Sequence, residues 1–127
     1  MTRTLWVGVG GALGAMARYQ LGSWIQRLSG GQFPAGTLAV NVVGSFLISV
    51  FMFLALNEKV LPTAGWTVLT AGVLGGFTTY SAFNHETLAL LRAGDATTAI
   101  ANVAATLFGC AIAGALGWAA CDLALAR

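Results

Sequence analysis

Four apolar stretches, at residues 5–24, 37–56, 66–91 and 96–124, fill most of this chain and leave little sequence for anything else. Each reaches the ~20 residues that an α-helix needs to cross the hydrocarbon of a bilayer. The joints between them are short and rich in turn residues: Ser29-Gly30-Gly31-Gln32-Phe33-Pro34, then Asn57-Glu58-Lys59 with Pro62, then Arg92-Ala93-Gly94-Asp95. Only 8% of the 127 residues are charged, against about 25% in an ordinary soluble domain. Six basic and four acidic side chains cannot cover a globule in water, so the solvent is lipid. Lipid offers the backbone no hydrogen-bond partner, so the spans must be helical. The fold expected is therefore an all-α membrane protein, one transmembrane domain over residues 1–127 with four transmembrane helices. Four spans are too few to enclose a pathway, so an oligomer is expected.

The charges that remain exclude some functions. Arg3, Arg18, Arg27, Lys59, Arg92 and Arg127 are scattered singly and give a net charge of +2; nucleic-acid binding needs a clustered basic stripe. Cys110 and Cys121 share the last stretch, about 16 Å apart along a helix axis, too far for a disulfide. Arg3 followed by an apolar run ending in Ala15-Met16-Ala17 has the outline of a cleavable signal peptide. The apolar character continues to Trp24, however, and more membrane protein follows, so the segment reads as the first helix.

The third stretch is unlike the others. Its centre runs Gly72-Val73-Leu74-Gly75-Gly76-Phe77-Thr78-Thr79-Tyr80-Ser81-Ala82-Phe83-Asn84-His85-Glu86. Adjacent glycines followed by β-branched and hydroxyl residues make a poor helix interior. Backbone groups freed in hydrocarbon are tolerated only where protein, water or an ion meets them. The third helix is thus expected to be broken at mid-membrane, at the glycine pair, with carbonyls available as ligands, as in discontinuous transporter helices. A continuous helix with glycines for close packing is the alternative.

Small residues recur every fourth position in the last stretch, at Ala101, Ala105, Gly109, Ala113, Gly117 and Cys121, and Gly10 and Gly14 repeat the pattern in the first. Such rows let helix backbones approach closely. Four crossings put Arg3, Lys59 and Arg127 on one side and Arg27 and Arg92 on the other, joined by Arg18 if it snorkels that way, a tally of three against two or three. Balanced charge gives the positive-inside rule no preferred orientation. The chain is therefore expected to insert both ways and to pair antiparallel with itself as a dual-topology homodimer.

Polar residues inside spans are functional candidates, because leaving them unpaired there is costly. Asn41 stands alone among Leu38, Ala39, Val40, Val42 and Val43; its amide can bind an anion or tie two helices. Asn102, Thr106 and Cys110 share one face of the last helix, with Thr37 placed to extend it. They form an uncharged donor stripe suited to a wet path, unless they bond their own helix's carbonyls. Tyr80 and Phe83 lie three apart beyond the break; ring edges carry partial positive charge. Glu86 could relay protons, pair with Arg18 or sit near the membrane surface. No nucleophile–base geometry, metal cluster or phosphate loop is present, so the chain is not expected to be an enzyme.

These motifs together resemble the Fluc (CrcB) family of fluoride channels over essentially the whole length. They are Gly14-Ala15-Met16-Ala17-Arg18-Tyr19, Pro34-Ala35-Gly36-Thr37-Leu38-Ala39-Val40-Asn41-Val42-Val43-Gly44-Ser45 and, most specifically, Gly72 through Phe83. The resemblance implies an antiparallel homodimer in a bacterial inner membrane, crossed several times by each chain. It implies passive fluoride export that relieves toxicity, two pores, and a central structural sodium ion. Backbone carbonyls of Gly75 and Thr78 match the sodium ligands. Asn41, Tyr80, Ser81, Phe83, Thr37, Asn102, Thr106 and Cys110 match the fluoride pore, and Arg18 and Glu86 the vestibule positions. Two departures stand out: Tyr80 where the family usually has Phe, and Cys110 where Ser is expected.

Fluoride is strongly hydrated, so a pore must replace its water with amide, hydroxyl and ring-edge donors. A fixed Lys or Arg would hold the ion too tightly to release it. The rival reading is a small dual-topology multidrug exporter driven by protons. That class needs a membrane-embedded carboxylate, typically in the first span, where this chain offers Arg18 and no Asp or Glu; the acidic residue placed inside a span is Glu86, in the third.

Overall fold

The computed structural model describes residues 2–57 and 63–125. The expected joint at Glu58, Lys59 and Pro62 lies outside the described residues, as does Arg127. Helix α1 (Thr2–Ser29) leads through a turn to α2 (Ala35–Asn57). The third stretch is divided into α3 (Thr63–Thr67), a π-helical segment (Val68–Leu74), α4 (Gly75–Phe77) and α5 (Tyr80–Arg92). The last helix is α6 (Ala96–Leu125).

Local chemistry sets these limits. Gly30 ends α1 with φ +60°, a conformation that glycine adopts without steric cost. Gln26 then staples the turn. Its Nε2 donates to the carbonyls of Gly31 at 3.2 Å and Phe33 at 3.0 Å, and its Oε1 accepts from the Gly36 N–H at 3.0 Å. After α5, Gly94 takes φ +82°, and Asp95 Oδ1 accepts the Thr98 N–H at 3.0 Å, an N-cap for α6.

Two of the described helices, Ala35–Leu56 and Ala96–Leu125, are each long and apolar enough to cross a bilayer. Helix α1 has the length, but Arg18, Gln20, Gln26 and Arg27 dilute its apolar character, and the third stretch is divided into short pieces. Large apolar side chains lie on the outside of the bundle. On α6 alone Leu107 and Phe108 are each 63% exposed, a face that suits lipid or a second chain rather than water.

Glycine rows bring the backbones together. A Cβ on Gly14 would strike the Val73 carbonyl, and one on Gly76 the Gly11 carbonyl, so α1 lies directly against the π-helical segment and α4. The row on α6 meets α2 of the same chain: a Cβ on Gly117 would strike the Phe46 carbonyl, and Gly109 faces Val42. Phe53 and Trp118 close that interface edge to face, with ring centroids 5.0 Å apart.

The helix break falls at Thr78 and Thr79, beyond the glycine pair rather than at it. Gly75 and Gly76 are helical, whereas Thr78 (φ −77°, ψ 157°) and Thr79 (φ −151°, ψ 112°) are extended. Gly76 serves the close approach to Gly11 instead.

Candidate functional site

The break would leave the backbone of Thr79 unbonded, and Asn41 of α2 takes it up. The Thr79 N–H donates to Asn41 Oδ1 at 2.8 Å, and Asn41 Nδ2 donates to the Thr79 carbonyl at 3.0 Å. Both residues are buried. Asn41 thus ties two helix segments together: its Oδ1 and one N–H stand in for two helical hydrogen bonds, and its second N–H remains for other partners. Thr79 also caps α5, accepting the Ala82 N–H at 3.2 Å, and its hydroxyl lies 3.2 Å from that of Ser81. Thr79 was not among the candidates read from the sequence. The signal was present as a hydroxyl residue immediately before a helical run.

Two clefts open on either side of the Asn41–Thr79 pair. One, of about 580 Å³, is walled by Asn41, Ser45 and Ile48 from α2, by Thr78 to Tyr80 and Phe83, and by Val103, Thr106, Leu107 and Cys110 from α6. Tyr80 and Phe83 meet there with ring centroids 5.6 Å apart and planes tilted by 53°. Thr106 Oγ1 is buried there with no hydrogen-bond partner among the described residues. At Thr106 the alternative for this stripe, a bond to its own helix's carbonyl, is therefore not formed. The cleft carries no charged side chain.

The other cleft, about 1140 Å³, lies between α1, the start of α2, and α5. Arg18, Ser23, Gln26, Arg27, Thr37, Ser81, His85 and Glu86 all line it. Thr37 Oγ1 donates to Glu86 Oε1 at 2.7 Å, while Glu86 Oε2 is buried and unpartnered among the described residues. Arg18 turns to the Thr78 carbonyl at 3.4 Å rather than to Glu86. The candidate residues thus divide: Asn41, Tyr80, Phe83, Thr106 and Cys110 line the smaller cleft, and Thr37, Ser81, Arg18 and Glu86 the larger. Asn102 lines neither. It is 1% exposed and donates to Thr87 Oγ1 at 2.9 Å.

The break also bears on a cation. The Thr78 N–H returns to the Leu74 carbonyl at 3.0 Å and the Thr79 N–H goes to Asn41, so Gly75 loses the donor four residues on that a helix would give its carbonyl. Gly75 is exposed on this chain. Among the described residues, the Thr78 carbonyl has only the long contact to Arg18. Oxygen ligands of this kind suit a hard cation. Two from one chain are too few to surround it, and a two-fold partner doubles them. No group of three or more His, Cys, Asp or Glu side chains is assembled among the described residues.

Most of the chain is similar to known proteins. Residues 5–118 match the family described as CrcB-like protein, Camphor Resistance (CrcB). A protein of Sorangium cellulosum named "Fluoride-specific ion channel FluC" is 47% identical over 117 residues, covering 92% of each chain. Another of that name, from Anaeromyxobacter sp., is 50% identical over 113 residues, 89% of this chain and 90% of its own. A third, from Geotalea daltonii, is 39% identical over 120 residues, 94% of this chain and 97% of its own.

Proposed function

The chain belongs to the CrcB family, and on that premise we propose that it is a fluoride channel, a membrane protein that carries the ion passively and not an enzyme. The observation that carries this reading is the smaller cleft, whose uncharged wall is shared by the Tyr80–Phe83 pair and by Thr106, a residue whose hydroxyl has no partner among the described residues. A dehydrated fluoride needs donors on all sides and no fixed cation to trap it. Asn41 contributes its remaining N–H, Thr106 its hydroxyl, Cys110 a weaker thiol donor, and the two rings their positive edges. The larger cleft, with Arg18, Arg27 and the Thr37–Glu86 pair, serves as the vestibule in which fluoride gathers before losing its water.

The finer reading is an antiparallel homodimer in a bacterial inner membrane, each chain crossing four times, with two pores. Balanced flanking charge supports the inversion, and the exposed apolar faces support a partner. Gly75 and Thr78 would hold a sodium ion at the two-fold axis through their carbonyls, where it would join the broken helices of both copies. Arg18 must then release the Thr78 carbonyl. Exchanging sodium for N-methylglucamine is expected to lower the melting temperature of the dimer, and an unchanged melt removes the ion from this reading.

Fluoride efflux from loaded liposomes tests the whole, with chloride as control. The reconstituted chain is expected to release fluoride and retain chloride. Efflux no faster than from empty vesicles, with folded protein present, overturns the channel reading.

A further inference from the structure

Helices α5 and α6 are antiparallel neighbours joined by the tight turn at 93–95. Thr87 therefore sits at the height of Asn102. One turn nearer the break on α5, and one turn further along α6, Phe83 comes level with Thr106, where both line the smaller cleft. The packing around the turn is apolar and small, with Leu90 and Ala99 buried. Contacts of that kind hold two helices together but resist sliding weakly, because dispersion is not directional. A buried polar pair is directional, and its best-attested use between helices is to fix register.

Asn102 and Thr87 are such a pair, 1% and 9% exposed, joined at 2.9 Å. The pair continues into the cleft wall, because Thr87 Oγ1 donates to the Phe83 carbonyl at 2.8 Å. The chain of bonds runs from α6 through Asn102 and Thr87 to the backbone that carries the Phe83 ring. We propose that the Asn102–Thr87 hydrogen bond is a register lock, which fixes the opening between Phe83 and Thr106 and so makes Asn102 a positioning residue for anion selection. The proposal rests on the channel reading and assigns Asn102 a place behind the pore wall. When the lock is lost, α5 slides against α6, the donors no longer fit the smaller ion, and discrimination falls.

The test is the ratio of fluoride to chloride efflux from liposomes at equal amounts of folded protein. Thr87→Val keeps the shape and removes the acceptor of Asn102; it is expected to lower the ratio at least fivefold. Thr87→Ser restores a hydroxyl and is expected to stay within twofold of the parent. Should Thr87→Val fail to fold, the double variant Asn102→Leu/Thr87→Val leaves no orphaned polar group. It is expected to fold and to show the same fall in ratio. If the valine variant, or the double one in its place, keeps the parent's ratio within twofold, the lock is wrong while the channel reading stands. If the parent itself moves no fluoride, both fall.

Discussion

Asn41 was conspicuous in the sequence because an amide among valines must find a partner in the membrane. Its partner was not legible, since Thr79 contributes backbone rather than side chain. Truncating Asn41 to Ala leaves the Thr79 N–H and carbonyl orphaned together, each at a cost of roughly 1–3 kcal/mol. Asn41→Ala is therefore expected to unfold at clearly lower denaturant in detergent and to lose most fluoride efflux. An unfolding midpoint unchanged from the parent would show that the break does not need the clamp. Tyr80 poses the opposite case. Tyr80 is 77% exposed on the single chain, and its hydroxyl makes no hydrogen bond among the described residues. Tyr80→Phe keeps the ring pair with Phe83 and removes only a dipole near the pore. The variant is expected to melt as the parent does and to conduct fluoride at least as fast; a tenfold loss of efflux would instead assign the hydroxyl a part in conduction.

At the scale of the helix, the sequence marked the third stretch as irregular but placed its break too early. Glycine pairs signal two different things, a weak helix and a close crossing, and only packing tells them apart. Here the crossing accounts for Gly76, which meets Gly11, while the extended turn forms at two threonines that Asn41 can reach. The crossing itself is testable. A methyl at Gly14 runs into the Val73 carbonyl, whereas Gly8 has open space around it. Overpacking against backbone costs about 1–3 kcal/mol or more, while alanine in an open helical position gains up to about 1 kcal/mol over glycine. Thermal melts in detergent should show Gly14→Ala strongly destabilised and Gly8→Ala equal to the parent or better. The start of α6 carries a pH dependence. The hydroxyl and backbone N–H of Thr98 both donate to Asp95 and hold its carboxyl below the ordinary value of 3.8. Because the folded value is the lower one, the stabilisation is present above the unfolded value and lost as pH falls through the folded one. Melts recorded from pH 5 downward should therefore show the parent losing stability below about pH 4 relative to Asp95→Asn, which caps at any pH. Parallel curves for the two would remove Asp95 from the acid response.

For the whole molecule, the sequence bears on a property that a single chain does not display, the orientation proposed for it in the membrane. With the four crossings proposed above, Arg3, Lys59 and Arg127 would oppose Arg27 and Arg92, while Arg18 bonds the Thr78 carbonyl at the break. Three against two gives little preference, and a few added charges should decide the orientation. The exposed Gly75 and the outward apolar face of α6 are what a second copy would cover. What was not readable is how the candidate residues divide between two clefts, because that depends on the turn at Thr78 and Thr79 rather than on spacing along any helix. An inverted pair makes a sharp demand: both orientations must be present for a pore to form. Three lysines appended after Arg127 should force that end to the cytoplasmic side in every copy, and a matched set in the turn after Ser29 should force the opposite. Reporter fusions at the carboxy terminus would establish each orientation. Expressed alone, either biased chain is expected to leave fluoride-sensitive cells unprotected and to give vesicles with little fluoride efflux. Expressed together, the two are expected to restore both. If one chain, shown by its reporter to lie in a single orientation, carries fluoride as well as the parent does, the partner cannot be inverted and the pore must be built from parallel copies.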